Sequence, residues 1–387
     1  MSPKRNREEI SSSEHVTTAG FRAFVGNAHI VSALRRMLSS GRVPHTLLFT
    51  GPRGIGKYTL ARMFAQAANC ERLKDDFCGE CNTCRQIAHL ANPQPLIEKG
   101  LAERGESADA AAVERIPLIL QTHPDVWVLV PDPVRLKTPV ARPVLHVGQL
   151  RAVQRAAYFR PIAKRRVFIL DGAETMRWDY ANIFLKILEE PPESATLILL
   201  APSPFALLPT VRSRCIQFGF ASLDTGEVEQ ILEERTSLTA AERKIAAELA
   251  EGSPGVAMGL DIRAAETLRR DVLGVLENAA GAGSLADLFS RTAQLAKQRE
   301  IPFESVLDVF YSVLSDLLKL TWVPSERKLR NPALRKHLEA LTGKLDSAWV
   351  VKAIRGIDGL YGRLRRNVNR QLGLDAVATS LADRTTG

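Results

Sequence analysis

Gly51-Pro52-Arg53-Gly54-Ile55-Gly56-Lys57-Tyr58-Thr59 decides how this chain is read. The apolar run Thr46-Leu47-Leu48-Phe49-Thr50 precedes it, and the helical pattern Leu60-Ala61-Arg62-Met63-Phe64-Ala65 follows. Strand, glycine-rich turn and helix are the setting in which G-x-x-x-x-G-K forms a phosphate cradle. The glycines let successive backbone N–H groups curl around phosphate oxygens, and the helix N-terminus adds its dipole. Lys57 then stands as a point charge against the outer phosphates. One position departs from a working site. The residue after the lysine normally offers a hydroxyl to Mg²⁺, and here it is Tyr58. Thr59 comes one residue late, about 100° further round the helix. ATP with Mg²⁺ is the ligand this cradle suits; whether the loop is filled is a separate question from its shape.

A chain of 387 residues is long enough for two or three domains. Ile30, Leu34 and Leu38 recur at helical spacing ahead of the loop, with Arg35 and Arg36 facing away. Beyond it, apolar strand runs at 126–130, 166–171, 196–200 and 215–218 alternate with helical patterns at 147–159 and 179–190. That alternation predicts an α/β domain with a parallel sheet covered on both faces. Residues 86–122 read as an irregular surface insertion, partly helical. After residue 220 the strand signals stop. Helices are expected at 227–237 and 239–251, and helical character continues from 263 to 384. The predicted organisation is a disordered tail over 1–20, a P-loop α/β domain over 21–220, a small helical domain over 221–262 and a larger one over 263–387.

The composition, 45% hydrophobic and 25% charged, is that of an ordinary soluble protein. No apolar run approaches the length needed to span a bilayer, and the first twenty residues lack the apolar core of a secretory signal. A cytoplasmic protein with no membrane partner is expected. The net charge of +9 suits an anionic partner such as nucleic acid, although general solubility would explain it equally.

Cys70, Cys78, Cys81 and Cys84 cluster with the spacing C-x7-C-x2-C-x2-C, while Cys215 stands apart. In a cytosolic chain this argues for a metal rather than disulfides. Four thiolates in so short a span close a tetrahedral structural Zn²⁺ site, with no position open to substrate. An iron–sulfur cluster is the alternative, but its usual x3-C-P continuation is missing after Cys84. The expected zinc knuckle spans 70–84.

Asp171 ends its strand at the carboxyl edge where ligands of parallel sheets bind. An acid there normally holds Mg²⁺ through water. The residue that would polarise the attacking water is Gly172, which has no side chain for it. Glu174 lies three residues further on. Ser213-Arg214-Cys215 precedes the last strand; a lone arginine there is by default a surface residue.

Val25-Gly26, the Gly51–Thr59 loop, the four-cysteine knuckle, the run from Asn182 through Leu188-Glu189-Glu190-Pro191-Pro192, and Ser213-Arg214-Cys215 occur in that order. The order resembles the bacterial DNA polymerase III clamp-loader subunits of the AAA+ class. Specific motifs carry the resemblance over about residues 20–260, and helical character alone carries it beyond. Within that family the chain departs from the ATP-hydrolysing gamma/tau motor pattern at Tyr58 and Gly172. It departs again at Gly255, where motors carry a nucleotide-sensing arginine, and around Ala201-Pro202-Ser203, where only Ser203 is polar. These departures look like the delta-prime subunit. The resemblance implies that Arg214 acts as an arginine finger, completing the ATP site of a neighbouring motor subunit. It also implies a C-terminal collar, gamma/tau-like and delta-type partners, and action on a sliding clamp and primed DNA. Among the basic residues Arg151, Arg155, Arg160, Lys164, Arg165 and Arg166, a minority are expected to follow a phosphate backbone.

Three other readings stand beside this one. The chain could be a motor subunit with Thr59 or water replacing the missing ligand. It could be a zinc-dependent nucleic-acid-binding module with a vestigial P-loop. A small-substrate kinase is the third, but nothing after Asp171 supplies its base.

Overall fold

In the computed structural model, residues 20–105, 109–135, 137, 140, 142–298, 303–326, 329–363 and 369–383 are described. The expected tail, up to residue 19, lies outside them. Gly20 already belongs to the fold: it is buried, and Phe21 beside it donates its N–H to Asp76 at 2.8 Å.

Six strands build the sheet: β1 (Thr46–Thr50), β2 (Ile119–His123), β3 (Val126–Leu129), β4 (Arg166–Asp171), β5 (Ala195–Ala201) and β6 (Ile216–Gly219). Their spatial order is β2-β3-β4-β5-β1-β6, and every pairing is parallel except β2 with β3. Every residue of β1 and β5 is buried, which is why the two read as unbroken apolar runs. Register positions the site. Thr50 pairs with Ala201 and Asp171 with Leu200, so the ends of β1 and β4 stand within one residue of the same level, with β5 between them.

The helices of this first unit are α1 (Ala28–Ser40), α2 (Lys57–Asn69), α3 (Asn82–Ala88), α4 (Gln94–Arg104), α5 (Ala110–Arg115), α6 (Val147–Ala157), α7 (Trp178–Glu189) and α8 (Pro209–Arg212). One face of the sheet packs on α6 and α7 through Leu150, Val153, Phe184 and Ile187 against Phe168, Leu197 and Leu199.

The stretch 86–122 corrects the expectation of an irregular surface insertion. It carries the end of α3, then α4, α5 and an edge strand, and it is locked into the core. Arg104, at the end of α4, makes two bonds to the Asp132 carboxylate, at 2.7 and 2.5 Å, with both side chains fully buried. Its Nε donates to the Ile116 carbonyl at 2.6 Å. Buried Gln149 on α6 donates to the carbonyls of Leu118 (2.7 Å) and Val130 (3.0 Å), stapling the two strands together at the open end of the β2–β3 hairpin. Removing one partner of such a pair strands an uncompensated charge. Asp132→Ala is therefore expected to destabilise the chain by about 3–5 kcal/mol in urea unfolding, and Arg104→Met with Asp132→Leu to recover most of that loss. A single-variant loss under about 1 kcal/mol would show that the pair is no anchor.

The chain folds as two compact units, Met1–Leu223 and Asp224–Gly387. The second is helical among its described residues: α9 (Thr225–Arg235), α10 (Ala240–Leu249), α11 (Pro254–Met258), α12 (Ile262–Glu277), α13 (Leu285–Lys297), α14 (Phe303–Trp322), α15 (Arg335–Thr342), α16 (Ser347–Arg363) and α17 (Arg370–Ala382). Val272, Leu276, Phe310, Leu314 and Ile357 centre its core. Arg269 on α12 donates to the Leu249 carbonyl at 3.1 Å and to Asn331 at 2.8 Å, tying the end of α10 to the larger helical set. No helix among the described residues is long and apolar enough to cross a membrane.

Candidate nucleotide loop, metal knuckle and Arg214 surface

The loop after β1 adopts the turn its glycines allow. Gly51 has φ of 146°, and a Cβ there would stand 2.7 Å from the Phe220 carbonyl oxygen, so only glycine fits. Gly54 and Gly56 also have positive φ, and Gly56 caps α2. Ile55 is buried and pins the tip, whereas Pro52 and Arg53 face solvent. The Lys57 ammonium donates to the carbonyls of Gly51 (2.6 Å) and Pro52 (2.7 Å). Burial lowers the Lys57 pKa, although Asp171 and Glu174 pull it the other way.

Asp171 and Glu174 both act on this lysine. Burial pushes the Asp171 pKa up, against the opposing effects of Lys57, the Gly172 N–H and Arg53. Glu174 is raised as well, first by partial desolvation and then by the Asp171 charge. The sequence alone gives Glu174 no direction. What brings it back toward the loop is Gly172, at φ 73°, whose carbonyl accepts the Thr175 hydroxyl at 2.7 Å. A Cβ on Gly172 would lie 2.8 Å from Pro131 Cγ, so the water-polarising position is closed to a side chain by its backbone as well as by its identity.

Tyr58 does not turn toward the place of a metal. Its hydroxyl donates to the Leu90 carbonyl at 2.6 Å, and burial pushes its pKa far up. Thr59 is half-buried on α2. Tyr58 thus joins the loop helix to the segment that follows the cysteines.

The four cysteine Sγ atoms lie within 4.8 Å of one another, and none forms a disulfide. Tetrahedral Zn–S bonds of about 2.3 Å place sulfurs roughly 3.8 Å apart, so the set fits such an ion. Backbone N–H groups of Leu73, Cys81 and Cys84 donate to the sulfurs of Cys70 (3.4 Å), Cys78 (3.3 Å) and Cys81 (3.4 Å). Donors of this kind favour thiolate, the form a metal takes. At Cys78 burial works against ionisation, yet the N–H groups of Cys81 and Glu80 bring the thiol down to about 7. Burial pushes Cys84 up.

The knuckle is bolted to its surroundings. Gln66 of α2 donates to the Cys84 carbonyl at 2.9 Å, and Lys164 reaches the Cys70 carbonyl. Asn69 accepts the N–H groups of Lys164 (3.1 Å) and Arg165 (2.8 Å). Several of the basic residues expected to include phosphate contacts are engaged within the chain instead. Arg165 turns inward, to the Ala195 carbonyl and the Thr196 hydroxyl, whereas Lys164 stays exposed and lays its ammonium on the knuckle backbone. Arg166 donates to the Phe159 carbonyl, and Arg151 pairs with Glu114. Arg155 and Arg160 stay exposed.

Arg214 lies away from the P-loop, before β6. Its guanidinium donates to the Thr210 carbonyl at 2.9 Å and to the Glu189 carboxylate at 2.7 Å, leaving the side chain 36% exposed. Ser203 caps the next short turn by accepting the Phe205 N–H at 3.2 Å.

A parallel sheet with a glycine loop after its inner strand and an acid level with it two strands over defines a P-loop α/β domain of the AAA+ kind. The chain belongs to the family described as "DNA polymerase III, delta subunit", whose profile matches residues 26–224 and so ends at the boundary of the first unit. The chain is 30% identical to DNA polymerase III subunit tau of Escherichia coli over 68% of its own length and 33% of that protein's. It is 31% identical to subunit tau/gamma of Haemophilus influenzae over 55% and 25%, and 27% identical to subunit tau of Bacillus subtilis over 70% and 42%. The matched part thus spans between a quarter and about two fifths of the length of these relatives. A solved gamma-subunit-related protein of Thermotoga maritima covers 92% of the chain and 99% of its own length at a TM-score of 0.39 and 16% identity, too loose a fit to add to the topology above.

Proposed function

We propose that this chain is a delta-prime-like subunit of a cytoplasmic DNA polymerase III clamp loader. It helps place a sliding clamp on primed DNA in company with gamma/tau-like motor and delta-type subunits. Its own ATP site hydrolyses little or nothing, and Arg214 serves the ATP site of the adjacent motor. Cys70, Cys78, Cys81 and Cys84 hold a structural zinc ion. Helices α9–α11 are a lid, and α12–α17 a collar for assembly.

The observation that carries the reading is the state of residues 58 and 172. The loop keeps every glycine, Lys57 and Asp171, yet Tyr58 is committed to Leu90 and Gly172 lies in the left-handed region against Pro131. A nucleotide could rest on the N–H groups and Lys57, but neither the metal hydroxyl nor the water-polarising acid has a side chain in place. Likeness to tau and gamma subunits favours the motor reading instead, and one assay separates the two. ATPase activity of the purified chain is expected at background, and Lys57→Ala is expected to leave it there. Motor-rate turnover abolished by Lys57→Ala would establish the motor reading.

A further inference from the structure

We infer that Glu189 is a positioning residue for Arg214, holding its guanidinium at the angle from which it meets a phosphate of the neighbouring subunit. The inference rests on the reading of Arg214 given above. Glu189 is the last residue of α7, and Pro191-Pro192 follow directly after Glu190. A carboxylate in the last turn has the wrong sign for the helix dipole, so α7 gains nothing from it. Its partner explains its place. Glu189 lies 25 positions from Arg214 in sequence and 2.7 Å from it in space.

The second hold is the Thr210 carbonyl on α8. The backbone under Arg214 is itself fixed, since the Arg214 and Cys215 N–H groups donate to the carbonyls of Val211 (3.1 Å) and Arg212 (3.2 Å). A guanidinium carries five N–H donors. Two are used here, and three remain in the fork for an oxyanion. An arginine clamped in this way loses less rotamer freedom when it engages a phosphate than one swinging in solvent. The inference gives a role to the ion pair that links two sequence motifs, Leu188-Glu189-Glu190-Pro191-Pro192 and Ser213-Arg214-Cys215, which also meet through Leu188 and Cys215 at the sheet–helix core.

The test uses the complex reconstituted with a motor subunit, with ATP titrated in the presence of primed DNA. Glu189→Ala is expected to lower kcat at the facing site roughly tenfold, with KM for ATP changed less than about twofold and assembly by gel filtration intact. Glu189→Gln keeps an accepting oxygen and is expected to retain most of the rate. In an Arg214→Ala background, Glu189→Ala is expected to add nothing. An unchanged or raised kcat for Glu189→Ala, or the same fall with and without Arg214, overturns the positioning role. If Arg214→Ala itself changes nothing, the finger reading fails first and takes this inference with it; a fall with Arg214→Ala but none with Glu189→Ala overturns the inference alone.

Discussion

Arg214→Ala is expected to leave the chain folded and assembled while turnover at the motor site it faces drops ~10³-fold or more. The two halves of this result have different physical origins. In the free chain Arg214 holds one exposed carboxylate and one carbonyl, and such surface interactions contribute about 1 kcal/mol or less to folding. Circular dichroism and gel filtration should therefore not distinguish variant from parent. Inside an interface, water is excluded and the same guanidinium faces charge that grows as the phosphate leaves. There an arginine supplied in trans contributes several kcal/mol to the barrier. The measurement is DNA-stimulated ATPase of the reconstituted complex, which should fall by at least the share of that one site. Arg214→Lys is the informative control, because an ammonium keeps the charge but lacks the planar fork; it is expected to restore only a minor part. An unchanged rate with Arg214→Ala would make the residue a surface charge and nothing more.

The parts of this structure legible in the sequence are those set by burial on both faces. The run read at 196–200 is β5, Ala195–Ala201, and the strand read at 166–171 is β4 to the residue, because central parallel strands admit apolar side chains on either side. The P-loop and the four cysteines are legible because their chemistry fixes spacing. Elements set by pairing across distance are not. In β2, Ile119-Leu120-Gln121-Thr122-His123, only Leu120 and His123 are buried, so its run is short and half polar, as suits an antiparallel edge. Nothing in the sequence marks Arg104 and Asp132 as partners, and only the fold places both in the core. Counting residues from Asp171 gives Glu174 no role, yet Gly172 is the signal, since a glycine after a strand-end acid permits the turn that brings the next acid back. In the sequence Tyr58 is an absence, a hydroxyl lost from the metal position. In three dimensions it is also a tether to Leu90.

That tether gives the metal knuckle a consequence beyond its own loop. Wild-type chain is expected to carry one zinc ion, and Cys81→Ser with Cys84→Ser is expected to carry none by metal assay of the purified protein. Cys81 is the critical ligand, since its sulfur accepts the Cys84 N–H and caps α3, on which Cys84 itself sits in the first turn. A closed four-thiolate site contributes on the order of 10 kcal/mol to ordering a segment with so little apolar core. The apolar core between the sheet and α6–α7 contains no knuckle residue, so the double variant should keep its far-UV signal. What loosens is the set of hydrogen bonds the knuckle holds from outside: Asp76 to Phe21, Cys84 to Gln66 and Leu90 to Tyr58. Hydrogen exchange should therefore accelerate over residues 70–90 first and then at the start of α2, while β4 and β5 stay protected. One metal ion per chain retained after both substitutions would refute this ligand set, and loss of zinc with unchanged exchange at α2 would refute the coupling of knuckle to loop.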